Sequence, residues 1–395
     1  MKTSIRGLLF ILMLSNLVTR GCTSFCIQNE DVNIVGRNYD FYFGNSFLMV
    51  NKRNNLKSVF LCNNRIFSRR IVKNSKIVNK LDPISQDSIT FSWNSKYGSI
   101  TFNQFGRGFP LEGMNEMGLV ISLLQTHGTQ YVTPDLRPPI DIFTWIQYHL
   151  DVCSQIGDIY NTQNTVRIHS ASHPVHFLIS DRSGRSLVIE FKDGKRKCFS
   201  DTSLPIKVLT NTLYEQSLRF YRSQWDGDLQ NNKSSLHRFS IVAEKLRQNK
   251  NEIVVPKIEY VFKILNLVAQ KPNGLLSFFL QLFQKEILAP YTQWSVVYDI
   301  NKRKIYYKSL LNSEIKSILL KDFDFTCSTP CLMLDINARN KGNVFPYFIS
   351  YSKQSNEKLI LKSFSRLSKK FYFYKDVSNS ALLNLARLPQ SFRCK

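Results

Sequence analysis

The chain has 395 residues, 43% hydrophobic and 13% aromatic, and carries 53 Lys and Arg against 29 Asp and Glu for a net charge of +24. That apolar content excludes a disordered or low-complexity protein, and 16 glycines without a sustained heptad exclude collagen and coiled coil. The basic residues are spread along the chain without the pattern of a DNA- or RNA-binding module, so the charge reads as a solvated surface and no nucleic-acid partner is expected.

The elements follow in chain order. Lys2 and Arg6 precede the apolar run Leu8–Val18, and Gly21 supplies a small residue after it. A charged start, an apolar middle and a small residue at the end predict a secretory signal peptide over residues 1–21. The run is too short for a membrane span, and no later stretch approaches ~20 apolar residues. The expectation is an exported protein, periplasmic or extracellular, with no stable membrane span. Alternation and β-branched or aromatic content predict strands over Phe25–Val35, Ser99–Phe105, Leu119–Leu124, Val175–Ile179, Ser186–Phe191 and Trp294–Asp299. Helical periodicity marks Ile140–Cys153, Leu236–Gln248, Ile258–Val268 and Leu275–Leu288. Asn54–Asp87 is polar and basic and reads as strands with exposed loops. Strands and helices alternate with many hairpin signals and no domain-dividing linker. That suits an α+β fold, two antiparallel sheets sandwiched between helical layers, αββα. The tail from Ile360 is basic and aromatic; it reads as a C-terminal extension (361–395) that packs, frays or meets a surface.

The eight cysteines are Cys22, Cys26, Cys62, Cys153, Cys198, Cys327, Cys331 and Cys394. They form no CxxC pair and no Cys/His cluster of the zinc type, and His173 and His176 around Pro174 read as a strand or loop detail. A cut after Gly21 makes Cys22 the first residue. Its thiol is then a nucleophile and its α-amine, with an ordinary pKa of roughly 7.7–8.0, a base on the same residue. Two other readings stand beside this one. Cys22 could be acylated as a lipoprotein, which would abolish the amine's basicity, or be bridged to another cysteine, which an oxidising compartment permits.

Cys22-Thr-Ser-Phe-Cys-Ile, followed by Val35-Gly-Arg-Asn-Tyr-Asp40, resembles the start of the choloylglycine hydrolase and penicillin V acylase family. Those proteins are linear-amide C–N hydrolases of the N-terminal nucleophile superfamily. Cys22 lies 15 residues before Arg37, near the family spacing, and Cys26 only 11. The likeness continues through Gly113-Met-Asn-Glu-Met-Gly-Leu119, through His176–Glu190 as a hairpin, and through Val208-Leu-Thr-Asn211. Ser234–Phe239, ending Arg238-Phe239, and Thr292–Tyr307, a closing hairpin, complete it.

The resemblance implies a domain over 22–360 and a role for each matching residue. Cys22 attacks the amide carbonyl. Asp40 holds its amine, and Arg37 favours the thiolate. Asn211 donates to the oxyanion, and Arg238 adds positive charge. Gln125 stands where the family often has Asn or Trp, at the border of the substrate pocket. Aromatics near Phe41–Phe43, Phe102–Phe109 and Leu124–Tyr131 are expected to line an apolar acyl pocket, with Phe41 and Phe102 as the named candidates. The resemblance implies no metal and no cofactor, and a small-molecule amide as partner. Candidate substrates are N-acyl amides, N-acyl homoserine lactones and penicillin V, with conjugated bile acids and fatty acyl amides of the acid ceramidase type as alternatives. A homotetramer is common in the family. A binding protein that keeps the scaffold without catalysis is the reading from another class.

Overall fold

The computed structural model describes residues 21–60, 89–170, 172–228, 233–251, 258–272, 274–283, 289–371, 374 and 377–394. The signal segment 1–20, residues 61–88 of the basic stretch and residues 284–288 of the Leu-rich helix lie outside them.

The first twenty described residues already set the geometry of the site. Thr23–Gln28 and Asn33–Phe41 are two strands of a hairpin, where the sequence pattern suggested one continuous strand. The break is made by Asn29, whose side-chain oxygen accepts from the backbone N–H of Asp31 and Val32 at 3.0 and 2.8 Å. This is the turn chemistry for which Asn is favoured. The hairpin forms part of a seven-stranded sheet among the described residues. Its order is Val208–Leu209, Thr23–Gln28, Asn33–Phe41, Tyr291–Asp299, Lys304–Ser309, Lys316–Leu319, Gly342–Asn343. All neighbours are antiparallel except the last pair.

The second sheet has nine strands among the described residues, all antiparallel. They run in the order Lys195–Ser200, Ser186–Lys192, Val175–Ser180, Val120–Gln125, Glu112–Asn115, Ser99–Asn103, Phe47–Asn51, Leu332–Asp335, Ile349–Ser350. The helices Ser235–Asn251 and Ile258–Val268 cover the first sheet, and Ile142–Val152 covers the second. The result is the αββα layering expected from the sequence, with two large antiparallel sheets face to face. Among the described residues no helix is long and apolar enough to cross a membrane.

Motif residues explain how the layers close. A Cβ on Gly36 would lie 2.8 Å from the ring of Phe25 and 2.9 Å from Val261, so only glycine lets the helix approach here. Asn38 donates to the Leu265 carbonyl at 2.7 Å and fixes that helix. Asn115 holds its own turn, accepting from Met117 and Leu119, and donates to the carbonyls of Leu150 in the helix Ile142–Val152 and of Cys153 just past its end. Gly118 turns the chain at φ +90°, a conformation that favours glycine.

The chain after Leu332–Asp335 forms the helices Lys353–Lys370 and Asn379–Arg387, so the helix crosses residue 360 without a break. Asn356, Leu359, Ile360, Ser363, Phe364 and Leu367 form its buried face, spaced three and four apart as an amphipathic helix requires. Each of its large apolar side chains stabilises the packing by about 1.5–3 kcal/mol. Cys327 and Cys394 form a disulfide, and Arg393–Cys394 adds a strand to Asn55–Phe60.

Candidate active site

The residue before the Thr23–Gln28 strand, the last residues of the Asn33–Phe41 strand and the segment just past the Val208–Leu209 strand converge on a cavity of about 430 Å³. Gly21, Cys22, Tyr39, Asp40, Phe41, Gln125 and Asn211 line it, together with apolar residues from both sheets and two helices. Cys22 is buried and a free thiol. Its Sγ lies 3.8 Å from the carbonyl oxygen of Asp40. Burial pushes the thiol's pKa up; the charge of Arg37 pulls it down, as does that of Arg238 more weakly, while Asp40 adds to the rise.

Arg238 is the tie that joins the catalytic candidates. It reaches from the Ser235–Asn251 helix with its Nε donating to Thr23 Oγ1 at 3.1 Å. Its Nη2 donates to the Cys22 carbonyl at 3.2 Å and to Asn211 Oδ1 at 2.6 Å, and Nη1 donates to the Lys233 carbonyl at 2.8 Å. A fully buried guanidinium with this many acceptors is a fixed positive charge, not a helix-surface residue. Asn211 is thereby oriented. Its Oδ1 is held by Arg238, and its Nδ2 donates one hydrogen to the Gln125 carbonyl at 2.6 Å. An amide nitrogen carries two hydrogens, so one remains for a ligand in the cavity.

Asp40 stands at the end of its strand beside a β-bulge between Thr292 and Trp294, a device that re-aims side chains. Thr292 Oγ1 donates to Asp40 Oδ1 at 2.5 Å. Asp40 Oδ2 is buried and has no hydrogen-bond partner among the described residues. Burial raises this carboxyl to about 7, against the pull of Arg238, Thr292 and Arg37. A buried, half-partnered carboxylate next to Cys22 is a place for a cation.

Arg37 lies in the seam between the sheets. Its Nε is 3.3 Å from Glu112 Oε1, with both side chains fully buried, and Nη1 donates to the Leu111 carbonyl at 3.2 Å. Burial works against its charge, and Glu112 together with Cys22, Tyr298 and Tyr39 outweighs that effect. Glu112 also accepts from Trp294 Nε1 and from Tyr298 OH, each at 2.8 Å. The surface ion pair between Arg37 and Asp40 that their spacing allows is therefore replaced by a pair across the sheets. Glu112 went unmarked in the sequence; its one signal was an acid immediately before the Gly113–Leu119 motif, in a run of strand residues.

Gln125 and Phe41 line the cavity. Phe102 does not. It lies in the core between the sheets, 6.2 Å from the ring of Trp294 and 5.8 Å from that of Tyr307. Side chains alternate along Ser99–Asn103, and position 102 faces the partner sheet. Phe105, past the strand's end, reaches the cavity instead, with Phe143 against it at 5.3 Å. His176 is buried support: Nε2 donates to the Thr210 carbonyl at 2.6 Å and Nδ1 meets Glu190 at 2.9 Å, which steadies the loop carrying Asn211. Cys26 is buried beside Ser180 at 3.0 Å, away from the cavity lining. Leu367, Phe371 and Tyr374 also line the cavity and were not singled out in the sequence; Thr292, read there as the start of the closing hairpin, and His173, read as a strand or loop detail, belong to the surroundings too.

A family model described as "Linear amide C-N hydrolases, choloylglycine hydrolase family" matches residues 22–333. The chain belongs to the choloylglycine hydrolase family. It is similar to penicillin V acylase of Pectobacterium atrosepticum, at 27% identity over 154 residues. That match covers 35% of this chain and 40% of the relative, so less than half of the relative's length is spanned. The fold is similar to that of penicillin V acylase from Agrobacterium tumefaciens, with TM-score 0.60 and 22% identity over 84% of this chain and 98% of the other. It is also similar to a mutant of conjugated bile acid hydrolase from Clostridium perfringens, with TM-score 0.59 and 18% identity over 82% and 98%.

Proposed function

We propose that the protein is an exported cysteine hydrolase of non-peptide linear amides, with Cys22 as the N-terminal nucleophile of the mature chain. The observation that carries this reading is the unpartnered Oδ2 of Asp40 beside Cys22. Cleavage after Gly21 creates an α-amine on Cys22, and as an ammonium or amine it supplies the missing donor. Gly21 adds support. It sits against Asn211, where an added Cβ would come within 2.1 Å of Oδ1, so the leader's last residue takes up room a substrate would use. The Cys327–Cys394 disulfide fits an oxidising compartment.

The chemistry then follows from the groups present. The Cys22 thiol passes its proton to the α-amine as Sγ bonds to the amide carbon. The oxygen that becomes negative is met by the free N–H of Asn211, itself fixed by Arg238 and Gln125. The α-ammonium returns the proton to the leaving nitrogen as the C–N bond breaks, which leaves a thioester. Water attacks the thioester, gives its proton to the α-amine, and the thiol is regenerated with release of the carboxylic acid. Arg37 and Arg238 lower the cost of the thiolate.

The acyl side is apolar and neutral. None of the described residues lining the cavity is Lys or Arg. A neutral amine portion, as in an N-acyl homoserine lactone, suits that lining better than the anionic glycine or taurine of a conjugated bile acid. The reading is tested with the processed protein on acyl homoserine lactones, penicillin V and glycine or taurine conjugates. Amide hydrolysis by the wild type, with the neutral amides fastest, and its loss in a folded Cys22→Ser variant is the expected result. Undiminished turnover in that variant refutes the nucleophile; a preference for the conjugates refutes the substrate class.

A further inference from the structure

The family match ends at Met333, yet the cavity around Cys22 is also lined by Leu367, Phe371 and Tyr374. We propose that the chain after Met333 supplies one wall of the acyl pocket and thereby sets which acyl groups are accepted. The proposal rests on the hydrolase reading for the role of the pocket.

The wall is built to stay in place. On the Lys353–Lys370 helix, Ser363 Oγ donates to the Gln104 carbonyl and accepts from Asn45 Nδ2, both at 2.7 Å. Asn356 Oδ1 accepts from the Arg107 N–H at 2.8 Å. The helix is thus fastened to the loop 104–107. Gln104 in turn accepts from the hydroxyl of Tyr39 at 2.6 Å, and Tyr39 lines the cavity next to Asp40. Past the helix, the Phe371 ring packs edge-on to Tyr42 at 5.5 Å, and the Tyr374 hydroxyl is hydrogen-bonded to His173 Nε2. The end of the chain is pinned by the Cys327–Cys394 disulfide. A fixed, largely aromatic wall discriminates by size and shape. In a hydrophobic pocket one methylene is worth roughly 10–200-fold in specificity. The occupant it fits is an uncharged acyl group whose length is limited by these three side chains.

The test uses the processed full chain and a series of N-acyl amides with straight acyl chains of increasing length. Leu367→Ala and Phe371→Ala each remove bulk from the wall; Phe371→Leu restores part of it. The expected result is a rise of about tenfold or more in kcat/KM for the longest acyl chains relative to the shortest in the Ala variants, with the Leu variant between. An unchanged relative profile overturns the proposal, since a purely structural role would lower all substrates together. A parallel titration of the processed Cys22→Ala protein and its wall variants with the matching fatty acids reads the same wall without turnover. If no amide is hydrolysed but the binding profile shifts to longer chains, the wall stands and the hydrolase reading falls. If amides are hydrolysed and neither profile shifts, the wall falls alone.

Discussion

Glu112→Gln removes one negative charge from the seam between the sheets and almost no volume. Glu112 is fully buried, lies 3.3 Å from the equally buried Arg37, and accepts from Trp294 and Tyr298 at 2.8 Å. Glutamine keeps one oxygen acceptor, so part of the hydrogen bonding survives. What is lost is the counter-charge to a guanidinium shut away from water. Breaking a buried pair from one side costs about 3–5 kcal/mol, a large share of the roughly 5–15 kcal/mol that holds an ordinary domain folded. Urea unfolding followed by tryptophan fluorescence, with Trp294 as a reporter inside the network, measures the loss. Arg37→Met combined with Glu112→Gln removes both charges of this pair and is expected to recover at least 2 kcal/mol of the single variant's loss, roughly the scale of a buried unpaired charge. A Glu112→Gln loss below about 1 kcal/mol, or a double variant as unstable as the two losses added, refutes the reasoning.

Two further predictions concern the cavity. Asn211→Ala removes the oriented N–H and is expected to lower kcat by about 10²–10³-fold, with KM changed far less; steady-state kinetics on one good amide checks this, and an unchanged kcat contradicts it. Asp40 gives a pH signature in the chain whose Cys22 nitrogen is still in a peptide bond. Its folded carboxyl is raised to about 7, while the unfolded value is about 3.9. The native state then holds the extra proton, so its stabilising share is complete below pH ~4 and is lost as pH rises through about 7. Urea midpoints across pH 4.5–7.5 are expected to fall in the unprocessed protein and to flatten in the processed one, where the α-ammonium faces Oδ2. Equal slopes in the two forms contradict the pairing.

Much of the frame was legible because it is local. Arg37 and Asp40 read directly from their motif, although the predicted strand Phe25–Val35 stops short of them, and the helix Ile258–Val268 begins and ends where its periodicity does. The errors arise where position depends on a partner distant in sequence. Phe102 and Phe105 are equally apolar in the sequence, but the facing sheet takes one into the core and leaves the other at the cavity. Glu112 gains its meaning only when 182 and 186 residues later Trp294 and Tyr298 arrive across the seam. The wall residues Leu367 and Phe371 carry no motif at all. Their place follows from Ser363 and Asn356 meeting the 104–107 loop, a contact that spans about two-thirds of the chain.

The state of the Cys22 nitrogen decides the rest of the chemistry. Intact mass and N-terminal sequencing of the active protein, recovered from the medium or periplasm of an expressing cell, measure it directly. The account predicts the unmodified mass of Cys22–Lys395, less two hydrogens for the Cys327–Cys394 bridge, with a free cysteine read in the first cycle. An active protein that starts at another residue, or whose first nitrogen is acylated, contradicts it.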